Sequence, residues 1–218
     1  MNFRCLVLDH DDTVVRSAET VNYPAFLENM QGKPFEKEVS FREFILGCFQ
    51  YGFSDFCRKC LGMTEQDLED QFVAWKAYIR VHIPPAYEGM NALLHRFRKA
   101  GGIICVSSHS SVENITRDYR RDFDLLPDAI YAWELGEELR KPNPYTLKDI
   151  MKRFRLQPQD LLMVDDMKAG CDMAKCCGVP FGCAGWSVFI PELQESMHCC
   201  SDYYFHQVKD LENLLFNA

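Results

Sequence analysis

The sequence lacks any cluster of lysine or arginine that would form a basic stripe, and its formal net charge is −8. Nucleic-acid backbones are bound largely by such clusters, so no nucleic acid is expected as a partner. A small phosphorylated metabolite, which needs only a few local cations, stays open. Also missing is an apolar run near the ~20 residues that cross a bilayer, so no membrane partner is expected. The opening Met1-Asn2-Phe3-Arg4 runs directly into a short apolar strand pattern and lacks the layout of an export signal, which predicts a cytoplasmic protein. Internal repeats and low-complexity tracts are absent too, leaving a folded chain of unrepeated elements.

What is present is ordinary for such a chain. Its 218 residues are 47% hydrophobic and 26% charged, enough for one core or for a core plus a small accessory domain. The eleven cysteines are odd in number and include two adjacent pairs, Cys176-Cys177 and Cys199-Cys200. Without an export signal they are expected to be reduced. Cys57-Arg-Lys-Cys60 has CxxC spacing, but a structural zinc site wants two well-spaced pairs. The thiols therefore read as small buried hydrophobes.

Short apolar runs alternate with helical patterns, the mark of an α/β fold with a largely parallel sheet. Strands are predicted at Phe3–Leu8, Gly102–Val106, Ala129–Trp133, Leu161–Val164, Phe181–Ala184 and Asp202–Phe205, each nearly continuous in apolar residues. From Ala18 to His82 no strand is evident. Thr64 with Asp67 resembles a capping box, and Leu68, Phe72, Trp75 and Ile79 recur behind it at helical spacing. Pro84-Pro85 closes that segment. A helical insert thus interrupts the α/β pattern after its first strand.

The first strand leads into Asp9-His10-Asp11-Asp12-Thr13, at the carboxyl end where parallel sheets place their ligands. Two aspartates spaced this way can divide labour, one as nucleophile and one as proton donor and acceptor. A solvated turn would look similar. The fourth strand ends in Asp165-Asp166, adjacent carboxylates that repel unless a cation or open solvent relieves them. The stretch from Gly170 reads as a short helix stopped by Gly178. Ser107 and Ser108 follow the second strand, where a hydroxyl could donate to a phosphoryl oxygen. Lys141 opens a predicted helix and could neutralise both a carboxylate and a transferring group.

In this order the four motifs resemble the haloacid dehalogenase (HAD) superfamily over nearly the whole chain: DxDxT at Asp9–Thr13, Ser107 after an apolar strand, Lys141 before Pro142, and Asp165-Asp166. The resemblance implies a Rossmann-like, HAD-like core of residues 1–15 and 85–218 with an all-α cap of the C1 type at 16–84, hinged near 14–18 and 82–87. It implies Mg²⁺-dependent hydrolysis of a small phosphomonoester. Asp9 would form an aspartyl-phosphate, Asp11 would act as acid and then base, and Ser107, Ser108 and Lys141 would hold phosphate. The metal ligands it implies are Asp9, the Asp11 carbonyl and Asp166, with Asp165 either a ligand or a residue orienting a metal-bound water. A monomer or weak homodimer is expected.

Departures from the family pattern bear on the reading. Asp12 stands where many members have glycine, a position that tolerates Asp if φ is positive. Arg16 replaces a frequent Asp and is either an anion contact or a solvent-facing arginine. Asp11 separates phosphoester chemistry from dehalogenases and phosphonatases, which lack that acid. β-Phosphoglucomutases keep it, so a phosphomutase is the alternative, although they carry His where this chain has Val21. A catalytically silent HAD-like scaffold is the non-enzymatic alternative. His109 is a candidate substrate contact, and His10 should face away from the two aspartates on strand alternation. Arg16, Phe49 and Arg80 are candidates for specificity in the cap.

Overall fold

The apolar runs become strands because both of their faces are covered, where a parallel ladder satisfies the backbone and branched side chains fill the layers on either side. The computed structural model of the chain describes residues 1–34 and 37–217. In chain order the elements are β1 (Cys5–Leu8), α1 (Tyr23–Met30), α2 (Phe41–Tyr51), α3 (Phe53–Phe56), α4 (Glu65–Val81), α5 (Met90–Lys99), β2 (Ile103–Ser107), α6 (Val112–Phe123), β3 (Ala129–Tyr131), α7 (Tyr145–Phe154), β4 (Leu161–Asp165), α8 (Lys168–Cys177), β5 (Phe181–Ala184), α9 (Pro191–Cys200), β6 (Tyr203–Phe205) and α10 (Val208–Phe216). The strands form one parallel sheet in the order β3-β2-β1-β4-β5-β6. The α/β, Rossmann-like core expected from the sequence is therefore present.

Strand limits move by a residue or two. β1 begins at Cys5 and β6 at Tyr203, later than predicted, and Trp133 lies in a 3₁₀ turn beyond β3. β2 and β4 run one residue further than predicted because Ser107 pairs with Tyr131 and Asp165 with Cys183, so both polar residues stay on the ladder. The helix behind Lys141 starts four residues later, at Tyr145, whose N–H is taken by the Asn143 side chain at 2.8 Å.

The chain divides into two compact units, residues 1–15 with 86–218 and residues 16–85. Residues 35, 36 and 218 of these spans lie outside the described residues. In the first unit Leu6, Leu8, Ile104, Val106, Leu162 and Val164 cover one sheet face. They pack with Leu94 and Phe97 of α5, Ile115 and Tyr119 of α6, and Leu211 and Leu215 of α10. Each such side chain, fully buried, contributes roughly 1.5–3 kcal/mol. Within this unit Val15 bridges Ala86, and the Tyr87 N–H donates to Val14 O at 3.0 Å.

The second unit is helical and aromatic. Phe26 lies 5.0 Å from Phe44 and 6.4 Å from Phe56 between ring centroids. A side chain at Gly47 would bring its Cβ within 2.2 Å of the Phe56 ring, so glycine lets α2 lie against that ring. Thr64 Oγ1 accepts from the Asp67 N–H while Asp67 Oδ2 accepts from the Thr64 N–H, and this reciprocal pair starts α4. The Trp75 indole N–H reaches Asn22 Oδ1 at 2.8 Å, and Asn29 donates to the buried Gln71 at 2.6 Å. Among the described residues no helix is long and apolar enough to cross a membrane.

Candidate active site

The order reversal of the sheet sets β1 between β2 and β4, so three carboxyl ends open into one place. Asp9 follows β1 directly, and its N–H donates to Val164 O at 2.9 Å, which continues the β1–β4 ladder by one residue. Asp165 ends β4 and Asp166 follows it. Carboxylate oxygens of Asp9, Asp165 and Asp166 all lie within 4.8 Å of one another, and all three residues are buried.

Lys141 enters from the loop before α7 and is buried. Its Nζ stands 3.0 Å from Asp9 Oδ1 and donates to Asp165 Oδ2. The ammonium is near Asp9 Oδ1 but poorly aligned with it. That oxygen is buried and has no hydrogen-bond partner among the described residues. Asp165 is more tightly committed. Its Oδ2 takes Lys141 and its Oδ1 accepts from the Met167 N–H at 2.8 Å. Gly170 of α8 closes over it, since a Cβ there would sit 2.3 Å from Asp165 Oδ2.

One ammonium facing three carboxylates leaves a surplus of negative charge, and the acidities register it. Burial works against the Lys141 charge, but Asp165 and Asp9 outweigh it and hold the proton more firmly than usual. Burial raises Asp165 to about 7, only partly offset by Lys141, with Asp9 adding to the rise. Asp166 is pushed well above the usual carboxylate range by burial, then by Asp12, Asp165 and Asp9. Such a cluster is suited to a divalent cation, which would remove the surplus and satisfy Asp9 Oδ1.

The turn after Asp9 is held by its own backbone. His10 O accepts from the N–H groups of Val14 and Val15 at 2.9 and 3.1 Å, and the Asp12 N–H donates to Val15 O at 2.7 Å. Asp12 is buried with φ at 57°, the left-handed conformation in which Asp is tolerated better than most residues. Asp11 is half-buried in this turn. The His10 ring reaches Asp118 of α6, where Nε2 lies 3.1 Å from Oδ2.

The other expected residues sit on the neighbouring edge. Ser107 and Ser108 are buried at the end of β2, and the Ser108 N–H donates to Tyr131 O. Ser108 Oγ accepts from the Ser110 N–H at 3.1 Å, and Ser111 caps α6 by accepting from the Asn114 N–H. The exposed His109 places Nε2 3.0 Å from Lys141 O, tying this loop to the lysine loop. Sequence reasoning missed Asp118 and the steric role of Gly170. Asp118 shares its helix with Glu113, Asp122 and three arginines, and an acid in such a mixed-charge helix gives no signal. A glycine inside a helix five residues after an acidic strand end gives a faint one.

Comparison with known proteins fits this arrangement. The family model of haloacid dehalogenase-like hydrolases matches residues 3–178, and the chain belongs to that family. It is 31% identical over 137 residues to a phosphoglycolate phosphatase from Nitrosospira multiformis, a match covering 59% of this chain and 56% of that protein. The matched segment thus spans little more than half of that relative's length. Among solved structures, a haloacid dehalogenase-like protein of unknown function from Agrobacterium tumefaciens superposes with a TM-score of 0.78 at 16% identity, covering 98% of this chain and 97% of that one. A mutant of CbbY from Rhodobacter sphaeroides in complex with xylulose-1,5-bisphosphate does so with a TM-score of 0.74 at 15% identity, covering 94% of each chain.

Proposed function

We propose that the chain is a Mg²⁺-dependent phosphatase of small phosphomonoesters, working through an aspartyl-phosphate on Asp9. The observation that carries this reading is the meeting of Asp9, Asp165 and Asp166 from two adjacent strand ends, with the Lys141 ammonium 3.0 Å from Asp9 Oδ1.

In this reading a carboxylate oxygen of Asp9 attacks phosphorus while the bond to the leaving oxygen breaks. Asp11 gives that oxygen its proton, and the alcohol departs. Asp11, now ionised, takes a proton from water as the water attacks the phosphorus of the aspartyl-phosphate, which releases phosphate and restores Asp9. Lys141 balances charge on Asp9 and on the phosphoryl oxygens, and Ser107 and Ser108 line the phosphate side. Asp9, the Asp11 carbonyl and Asp166 would hold Mg²⁺, which when bound neutralises charge that grows as the phosphoryl group transfers. Asp165, with both oxygens engaged, serves to fix Lys141 rather than to bind the metal.

The helical unit of residues 16–85 is assigned the choice of substrate. Phosphoglycolate and sugar bisphosphates are the first substrates to try, given the names of the relatives. Phosphate release from p-nitrophenyl phosphate and a panel including 2-phosphoglycolate and xylulose-1,5-bisphosphate, with and without Mg²⁺, tests the reading. Turnover that needs Mg²⁺ and disappears in Asp9→Asn supports it. Turnover that survives Asp9→Asn overturns it.

A further inference from the structure

Between the two aspartates of the catalytic turn lies a histidine whose ring serves neither of them. His10 is 1% exposed, and its Nε2 stands 3.1 Å from Asp118 Oδ2. Asp118 is fully buried and also receives Arg117 at both oxygens, Nε to Oδ1 at 2.7 Å and Nη2 to Oδ2 at 3.0 Å, with Arg121 Nη1 3.7 Å from Oδ1. An ionised carboxylate only accepts, so Nε2 of His10 carries the shared proton. The ring also stacks against Tyr119, 6.1 Å between centroids and 30° between planes.

An apolar ring would fill this space at lower cost. The chain instead buries an imidazole whose Nδ1 has no partner among the described residues, a polar burden that core packing alone does not call for. What the pair gains is connection. Asp9 is held by the β1–β4 ladder, but Asp11 lies past the last ladder bond, and His10 is the peptide unit between them. The carbonyl of His10 closes the turn through Val14 and Val15, and its side chain fastens that turn to α6. The same helix begins from the Ser107–Ser111 loop, capped by Ser111.

We propose that His10 and Asp118 are positioning residues that hold the Asp9–Asp12 turn in register with the Ser107 loop, so that nucleophile, proton-transfer acid and phosphate donors share one frame. The inference rests on the phosphatase reading of the site. His10→Phe keeps a ring against Tyr119 and removes the donor, whereas His10→Gln keeps an N–H able to reach Asp118.

With Mg²⁺ and the best substrate of the panel, His10→Phe is expected to lower kcat about 10- to 100-fold with KM changed less than about threefold. His10→Gln should recover most of the loss, and His10→Phe/Asp118→Asn should be no slower than the worse single variant. Mg²⁺ affinity measured by calorimetry, independent of turnover, should weaken about tenfold in His10→Phe and return in His10→Gln. The inference is overturned if His10→Phe matches the wild type in both kcat and Mg²⁺ affinity. It is also overturned if the Phe and Gln variants are equally impaired, as a packing role would require. Asp9→Asn is run alongside: activity that survives it removes the phosphatase reading, whereas Asp9 dependence with an indifferent His10 removes this inference alone.

Discussion

Gly170 and Asp165 touch so closely that a single methyl group on the glycine would lie 2.3 Å from the carboxylate oxygen that receives Lys141. A helix residue thereby fixes the acid, and the acid fixes the lysine beside Asp9.

Gly170→Ala tests that chain of contacts. In an open helix the change would stabilise by up to about 1 kcal/mol. Here the methyl must displace a buried, hydrogen-bonded carboxylate, so a net loss of roughly 1–3 kcal/mol is expected. Urea unfolding should show it, and turnover should fall at least about tenfold as Lys141 loses its anchor. A variant as active and as stable as the wild type would contradict the contact.

Lys141→Met leaves Asp9 and Asp165 buried without their shared cation. Removing one partner of a buried ion pair costs about 3–5 kcal/mol, and that loss should appear in denaturant midpoints measured without divalent ions. Activity should be lost at any stability. Equal midpoints would mean that the lysine is not balancing these acids.

Mg²⁺ should raise the thermal midpoint of the wild type, because a ligand bound only by the folded state stabilises it, by about 2.7 kcal/mol at 100 times the Kd. Asp166→Asn should abolish that rise while Asp165→Asn, whose site is bonded to Lys141 and Met167, should reduce it less. Thermal scans with and without the ion separate these outcomes.

Asp118 carries a stability signature in pH. Burial alone would raise its pKa, but hydrogen bonds and charge from His10 and Arg117 bring it below the ordinary carboxylate value in the folded protein. A group with a lowered folded pKa adds stability above its unfolded pKa, about 3.9, and loses it as pH falls through the folded value. Asp118→Asn should therefore be less stable than the wild type at neutral pH, with the gap closing under strong acid. A gap independent of pH would place the cost elsewhere.

Thr64→Ala removes one half of the reciprocal cap on α4 and should cost about 1 kcal/mol, read as a lower thermal midpoint.

Much of this was legible beforehand because buried parallel strands leave continuous apolar runs, and each of the six runs became a strand. Thr64 and Asp67 were readable as a helix start because the cap is a local, three-residue device. The order of Asp9, Ser107, Lys141 and Asp165-Asp166 pointed to the candidate site, and of these Asp9, Lys141, Asp165 and Asp166 stand together in the structure. Long-range choices were not readable. That Asp118 meets His10 across 108 positions, and that Gly170 is small because of Asp165, depend on how α6 and α8 lie on the sheet. The late start of the helix behind Lys141 turns on a side-chain bond from Asn143 that no periodicity announces.

The backbone bond from Asp9 to Val164 has a thermal consequence. That bond fixes the Asp9 main chain when the sheet assembles, so, with Asp9 as the proposed nucleophile, an arriving phosphate would meet a side chain carried on backbone with little remaining freedom to lose. Warming that leaves β1 and β4 paired should leave the reaction geometry intact, and activity should fail together with the sheet rather than ahead of it.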